Sequence, residues 1–211
     1  ISAEEIEYLC AMASEYFSEP VTRSDVVWTY SGVRPLYDDG ASKAQEATRD
    51  YVIRTDGDHD TGLLLNIFGG KITTFRVLAE TILKDIEKAL GARQPSWTAD
   101  AALPGGDFAV QGFDALVDEY ATARPHLDRK LITRLVRHYG TRAPMVLGDA
   151  QKTVDLGKAF GNGLHEAEVI YLMRHEWALT AQDVLFRRTK LGIAYNSKQI
   201  QALQDFMDRA A

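Results

Sequence analysis

Leu63-Leu64-Leu65-Asn66-Ile67-Phe68-Gly69-Gly70-Lys71-Ile72-Thr73-Thr74-Phe75-Arg76 is the passage that decides the fold. It opens as a leucine- and aromatic-rich run of strand length and breaks at two glycines. It then passes into Val77, Leu78, Ile82, Ile86 and Leu90, which recur at helical spacing. Gly91 stands just past the last apolar position, where a helix stop belongs. A strand, a glycine turn and a long helix are therefore predicted in succession. At such a junction glycines allow close approach to the backbone, and the first N–H groups of the helix point outward at the positive end of its dipole. Lys71 adds a formal charge. The segment Gly69, Gly70, Lys71, Ile72, Thr73, Thr74 suits an anion or the polar edge of a ring, and it reads equally as a plain glycine turn with capping threonines. It is not a Walker sequence, because G-x-x-x-x-G-K-[ST] is absent.

Upstream, Ser2 and Glu5 form a capping-box signature, and Ile6, Leu9, Cys10, Ala13 and Phe17 share one helical face, so a helix is predicted over 3–17 with Pro20 beyond it. Residues 26–30 and 51–55 are short β-branched and aromatic runs, which with 63–68 make three predicted strands. Downstream, Pro95, Trp97 and Pro104-Gly105-Gly106 interrupt any periodicity, and 93–111 reads as a linker. Beyond it the spacing predicts helices only. Phe113 to Tyr120 carry one, and Leu127 to Tyr139, closed by Gly140, carry another. Glu166 to Ala178 follow, then a helix capped by Thr180 with Asp183, and a last one from Ser197 through Phe206. The expected class is α+β, with three short strands and flanking helices over 1–92, then an all-α helical domain over 112–211.

The composition is that of a globular chain: 45% hydrophobic, 26% charged, with no apolar run near the ~18 to 20 residues that span a bilayer. Thirty acidic against 24 basic side chains give a formal charge of −6, which argues against nucleic acid as a partner. The one cysteine, Cys10, allows neither an internal disulfide nor a multi-cysteine zinc site, and a reducing compartment fits. His165, His175 and Glu176 lack the H-E-x-x-H order, so no metal site is expected. Gly157, Gly161 and Gly163 lack G-x-G-x-x-G order and read as helix-ending glycines. Arg187, Arg188 and Lys190 read as a solvated or ion-paired helix end, with a membrane surface or partner as the lesser alternative. Trp28, Trp97 and Trp177 read as packing residues.

Two further cations sit beside predicted strands. Arg34 lies in Ser31-Gly32-Val33-Arg34-Pro35-Leu36, between residues that restrict the backbone, and Arg49 opens the second strand. Convergence of Arg34, Arg49 and Lys71 would make a clamp for phosphate or carboxylate, since guanidinium groups bind such oxygens in bidentate fashion. The alternative pairs Arg34 and Arg49 with Asp38, Asp39 or Asp50.

Taken together, Val27-Trp28-Thr29-Tyr30-Ser31-Gly32-Val33-Arg34-Pro35-Leu36, Arg49-Asp50-Tyr51, Phe68 to Arg76, and Glu176-Trp177-Ala178 through Asp183 to Gly192 resemble, in order, the FAD-dependent, quinone-linked aerobic glycerol-3-phosphate dehydrogenases. Ile72 and Phe75 stand where that family often has leucine and tyrosine. The resemblance implies the C-terminal portion of a cytoplasmic flavoprotein of glycerol metabolism, peripheral on the membrane. Residues 1–92 would be the remnant of its FAD and substrate domain, because the G-x-G-x-x-G turn that holds the ADP part of FAD is missing. It implies Arg34, Arg49 and Lys71 in the substrate pocket and Gly69 to Thr74 beside the flavin ring. The implied reaction oxidises sn-glycerol 3-phosphate to dihydroxyacetone phosphate by hydride transfer to FAD, with electrons passing to quinone. No catalytic proton acceptor is assigned within this chain. Alone it is expected to retain no FAD and to be inactive, with the N-terminal FAD domain as its natural partner; a homo-oligomer is compatible with the sequence. The alternatives are another FAD oxidoreductase of the same superfamily, or a free-standing helical interaction module with an anion-binding turn.

Overall fold

The computed structural model describes residues 1–33, 36–38, 40, 49–58, 62–91 and 94–210. They divide into two compact units, 1–101 and 102–211.

In the first unit, α1 (Ala3–Ser14) begins with the predicted capping box: the Glu5 N–H donates to Ser2 Oγ at 3.2 Å and the Ser2 N–H to Glu5 Oε2 at 2.7 Å. It stops before Phe17 because the Ser14 hydroxyl accepts from the Val21 N–H at 2.9 Å, turning the chain back. β1 (Tyr51–Asp58) and β2 (Gly62–Gly69) form an antiparallel hairpin in register from Tyr51↔Gly69 to Asp58↔Gly62. A 3₁₀ turn, Ile72–Thr74, then leads into α2 (Phe75–Leu90), which ends at Gly91 with φ 82°. The glycine turn and helix therefore follow β2 as predicted, with one tight turn between them. The first of the three predicted strands, over 26–30, does not form. Residues 26–30 take no strand conformation, and the rings of Trp28 and Tyr30 stack with centroids 5.4 Å apart. β-rich composition makes a strand only where another edge offers hydrogen bonds.

The second unit holds the main core. α3 (Phe113–Ala123) contributes Leu116, Val117 and Tyr120, and α4 (Arg129–Tyr139) contributes Leu131, Ile132, Leu135, Val136 and Tyr139. Asp128 caps α4 by accepting from the Lys130 N–H at 2.9 Å. Within the stretch expected as a linker, Pro104 to Phe108 lie on the end of α4. The Thr141 N–H donates to the Gly105 carbonyl at 3.1 Å, and a Cβ on Gly140 would stand 1.8 Å from that same oxygen, so the two chains cross where only hydrogen atoms fit. A short α5 (Ala143–Leu147), too brief to show periodicity, buries Val146 and Leu147.

The helices-only expectation for this half is corrected by a hairpin of β3 (Ala159–Gly161) and β4 (Leu164–His165), which inserts Phe160 and Leu164 into the core. Gly161 and Gly163 are thus hairpin residues rather than helix ends, whereas Gly157 does close a 3₁₀ turn, Thr153–Leu156. Asn162-Gly163, both at positive φ, is the two-residue hairpin signal that the reading of the glycines passed over. α6 (Glu166–His175) and α7 (Ser197–Ala210) flank a helical turn started by Thr180 and Asp183, as predicted: the Asp183 N–H donates to Thr180 Oγ1 at 3.2 Å and the Thr180 N–H to Asp183 Oδ2 at 2.9 Å. Over Asp183–Arg188 that turn widens to π geometry, because both the N–H and hydroxyl of buried Thr189 donate to the Val184 carbonyl, at 2.9 and 2.8 Å.

The tryptophans are not core residues: Trp28, Trp97 and Trp177 are 42%, 71% and 84% exposed. At Trp177 the cause is visible. Arg188 donates twice to the Glu176 carbonyl, at 2.9 and 2.7 Å, and the Ala178 N–H closes back on Leu172, at 3.1 Å. Ala178 takes the buried place and Trp177, at φ 53°, is turned outward.

Candidate functional site

The junction of β2 and α2 gathers most of the residues singled out in the sequence. Gly69 and Gly70 have φ of 69° and 94°, a region closed to most side chains, and they turn the chain sharply out of the strand. The turn has no spare room on its inner side, because a Cβ on Gly70 would lie 3.3 Å from Tyr51 Cβ. Lys71, exposed, precedes the 3₁₀ turn, and Thr74 folds back on it through its N–H and hydroxyl, both donating to the Lys71 carbonyl at 3.0 Å. Ile72 is 88% exposed and Thr73 is exposed. The opening N–H groups of this helical segment, on exposed residues 71–73, have no preceding turn to donate to and stand at the positive end of α2.

The hairpin register sets the second cation beside the first. Since Tyr51 faces Gly69, Arg49 lies just before β1 at the end of the hairpin where Lys71 lies just after β2, and both side chains are exposed. Arg34 lies outside the described residues. The structure therefore brings Arg49 and Lys71 to one end of one hairpin.

Whether the segment suits FAD, the group implied by the resemblance, can be judged from this geometry. A backbone bent by two positive-φ glycines, outward N–H groups and an adjacent ammonium suit the polar edge of a flavin ring. They suit that end alone, and the sequence contains no dinucleotide turn for the remainder.

Two interactions at this junction were not read from the sequence. Tyr51 Oη lies 3.5 Å from Thr81 Oγ1 on α2. Further along α2, Glu80 Oε1 accepts from Arg76 Nη1 at 2.8 Å, Ser96 Oγ at 2.5 Å and Thr98 Oγ1 at 2.6 Å, tying the segment after α2 back onto the helix. The hydroxyls of Ser96 and Thr98, with Arg76, hold the Glu80 carboxyl at about 2. Partners sixteen and eighteen residues away leave no local spacing to find. The basic cluster after Asp183 is satisfied locally: Arg187 pairs with Asp183 at 2.9 Å, Arg188 holds the Glu176 carbonyl, and Lys190 Nζ donates to the Phe186 carbonyl at 2.8 Å. Among the described residues no helix is long and apolar enough to cross a membrane.

Comparison with known proteins gives a consistent result. The family model for the C-terminal domain of alpha-glycerophosphate oxidase matches residues 96–211. The chain is 41% identical over 209 residues to D-erythritol 1-phosphate dehydrogenase of Brucella abortus, covering 98% of this chain and 41% of that protein. It is 39% identical over 207 residues to glycerol-3-phosphate dehydrogenase of Pseudomonas aeruginosa, covering 98% and 40%. It is 40% identical over 203 residues to aerobic glycerol-3-phosphate dehydrogenase of Escherichia coli, covering 94% and 40%. The chain thus spans about two fifths of the length of these curated relatives.

Proposed function

The chain belongs to the family of the C-terminal domain of alpha-glycerophosphate oxidase, and from that premise we propose that it serves a flavoprotein that oxidises sn-glycerol 3-phosphate to dihydroxyacetone phosphate. FAD, when bound, supplies the hydride acceptor, and the electrons pass on to a membrane quinone, which places the working protein at a membrane surface. The observation that carries the reading is the convergence of Arg49 and Lys71 at the hairpin end that also bears the glycine turn. Their charges would hold phosphate and hydroxyl oxygens of the substrate; the N–H groups of the turn and the dipole of α2 would favour negative charge at the flavin edge. Arg34 is proposed as a third substrate-binding cation. A proton acceptor is not assigned to this chain.

The relative from Brucella abortus supports a second reading, in which the substrate is D-erythritol 1-phosphate. Both are phosphorylated polyols, so the same cations serve either, and glycerol 3-phosphate is preferred because it is named in the other two relatives.

Steady-state kinetics on the full-length flavoprotein, with both substrates, tests the proposal. Lys71→Ala or Arg49→Ala should lower kcat/KM by roughly 10- to 100-fold, the loss of one charge-assisted contact of about 1.5 to 3 kcal/mol, with flavin content retained. Unchanged kcat/KM in both variants would sink the substrate-clamp assignment. A preference for D-erythritol 1-phosphate would replace the substrate and leave the clamp standing.

A further inference from the structure

We infer that Tyr51 is the positioning residue of this site, fixing the glycine turn and Lys71 against both the hairpin and α2; the inference rests on the proposed flavin-edge role of that turn. Three contacts converge on it. Its backbone faces Gly69 in the last register pair of the hairpin. Its Cβ is the surface against which Gly70 is pressed, at 3.3 Å from the place a Cβ would occupy there. Its phenol reaches α2 at Thr81, 3.5 Å away.

The direction of that last contact follows from what Thr81 does otherwise. The Thr81 hydroxyl donates to the Val77 carbonyl at 2.8 Å, so it has only lone pairs left to offer and the Tyr51 hydroxyl is the donor. Tyr51 is half-buried in a stretch where Arg49, Asp50, Lys71 and Ile72 are all exposed. One side chain therefore links the strand that follows Arg49, the turn that carries Lys71, and the helix whose dipole faces the ligand. Gly69 and Gly70 are flexible by composition, and a flexible turn cannot aim N–H groups without such a wall. Most of the span is made by the ring, because a hydroxyl contact at 3.5 Å lies at the long limit of a hydrogen bond.

The experiment uses the full-length flavoprotein with sulfite as the probe, since it adds to the flavin and leaves a negative charge that the turn would stabilise. Tyr51→Phe should keep the sulfite Kd and kcat/KM within about threefold of wild type, because the ring remains. Tyr51→Leu should weaken sulfite binding and lower kcat about tenfold, with KM moving less, because the link from the hairpin end to α2 is lost while the Cβ against Gly70 and both cations stay. Lys71→Ala is the control for the site itself. If it weakens sulfite binding while Tyr51→Leu, with full flavin content, binds sulfite as wild type does, the positioning role is overturned and the flavin-edge reading survives. If Lys71→Ala also leaves sulfite binding unchanged, the flavin-edge reading falls and takes this inference with it. Should Tyr51→Leu lose its flavin, Tyr51→Met and Tyr51→Phe decide: weaker sulfite binding in Tyr51→Met with Tyr51→Phe near wild type supports the ring as the link, and equal binding in the two overturns it.

Discussion

Arg134 and Glu168 meet inside the helical unit as a two-point ion pair, Nη1 to Oε1 at 2.9 Å and Nη2 to Oε2 at 2.6 Å, although Glu168 is only 2% exposed. Arg134 Nη2 also holds the Gly163 carbonyl at the hairpin turn, at 2.6 Å, and the Tyr139 hydroxyl donates to Glu168 at 2.8 Å. Burial, reinforced by the Glu168 charge, pushes the Tyr139 phenol far above its ordinary range, so it remains a donor. α4, α6 and the β3–β4 turn are thus joined at one polar point in an apolar core.

Removing one partner leaves the other charge buried. Arg134→Leu should destabilise the chain by about 3 to 5 kcal/mol, while Arg134→Leu combined with Glu168→Leu should regain more than half of that loss. Urea unfolding followed by circular dichroism measures both, and a double variant no better than Arg134→Leu would show that the carboxylate is not the source of the cost.

The crossing of Gly105 and Gly140 can be weighed against a glycine of similar conformation in open space. Gly140 and Gly148 both have φ 52°, but a Cβ on Gly140 meets the Gly105 oxygen, whereas one on Gly148 meets nothing within 4 Å. Gly148→Ala should cost about 1 to 3 kcal/mol, the backbone strain alone, and Gly140→Ala distinctly more. Equal losses in thermal unfolding would mean that the 104–108 segment moves away freely.

The carboxyl of Glu80 is held at about 2, below its ordinary value of 4.5, by Ser96, Thr98 and Arg76. For a carboxyl lowered in the folded state, the stabilisation is complete above 4.5 and is lost as pH falls toward 2. The 94–98 segment should therefore loosen on α2 across that window. Trp97, flanked by both hydroxyl donors, reports it: in a Trp28→Phe/Trp177→Phe background its fluorescence should change between pH 4.5 and 2, and Glu80→Gln should abolish the change. A signal flat through that range in the parent background would contradict the clasp.

Hydrogen exchange should separate the two units. Val169 and Leu172 on α6 are fully buried, while Cys10 is the sole buried apolar residue among those described in 1–101. Slow exchange is expected on α4 and α6 and faster exchange on β1 and β2, measured on the 211-residue chain at a concentration where its mass is that of a monomer. Strands exchanging as slowly as α6 would mean that the hairpin has a closed core of its own.

What the sequence alone determined were the features that depend on near neighbours. The capping pairs Ser2–Glu5 and Thr180–Asp183, the apolar stripes of α2, α4 and α6, and the stops at Gly91 and Gly140 are decided within four residues by hydrogen-bond reach and helical pitch. Four stretches in order, 27–36, 49–51, 68–76 and 176–192, were together enough to place the chain beside its relatives. Residues 26–30 had the composition of a strand, yet pairing depends on a distant edge, and composition carries no information about one. Trp177 looked like core because tryptophan is large and apolar; its outward turn is set by Arg188, eleven residues further on, holding the Glu176 carbonyl. The same is true at the site. That Arg49 and Lys71 share one end of a hairpin follows from its register, and that Tyr51 stands behind the glycine turn follows from side-chain packing. Tertiary structure decided these because contacts across many residues are selected by the burial and hydrogen bonding of the whole unit, which no local spacing encodes.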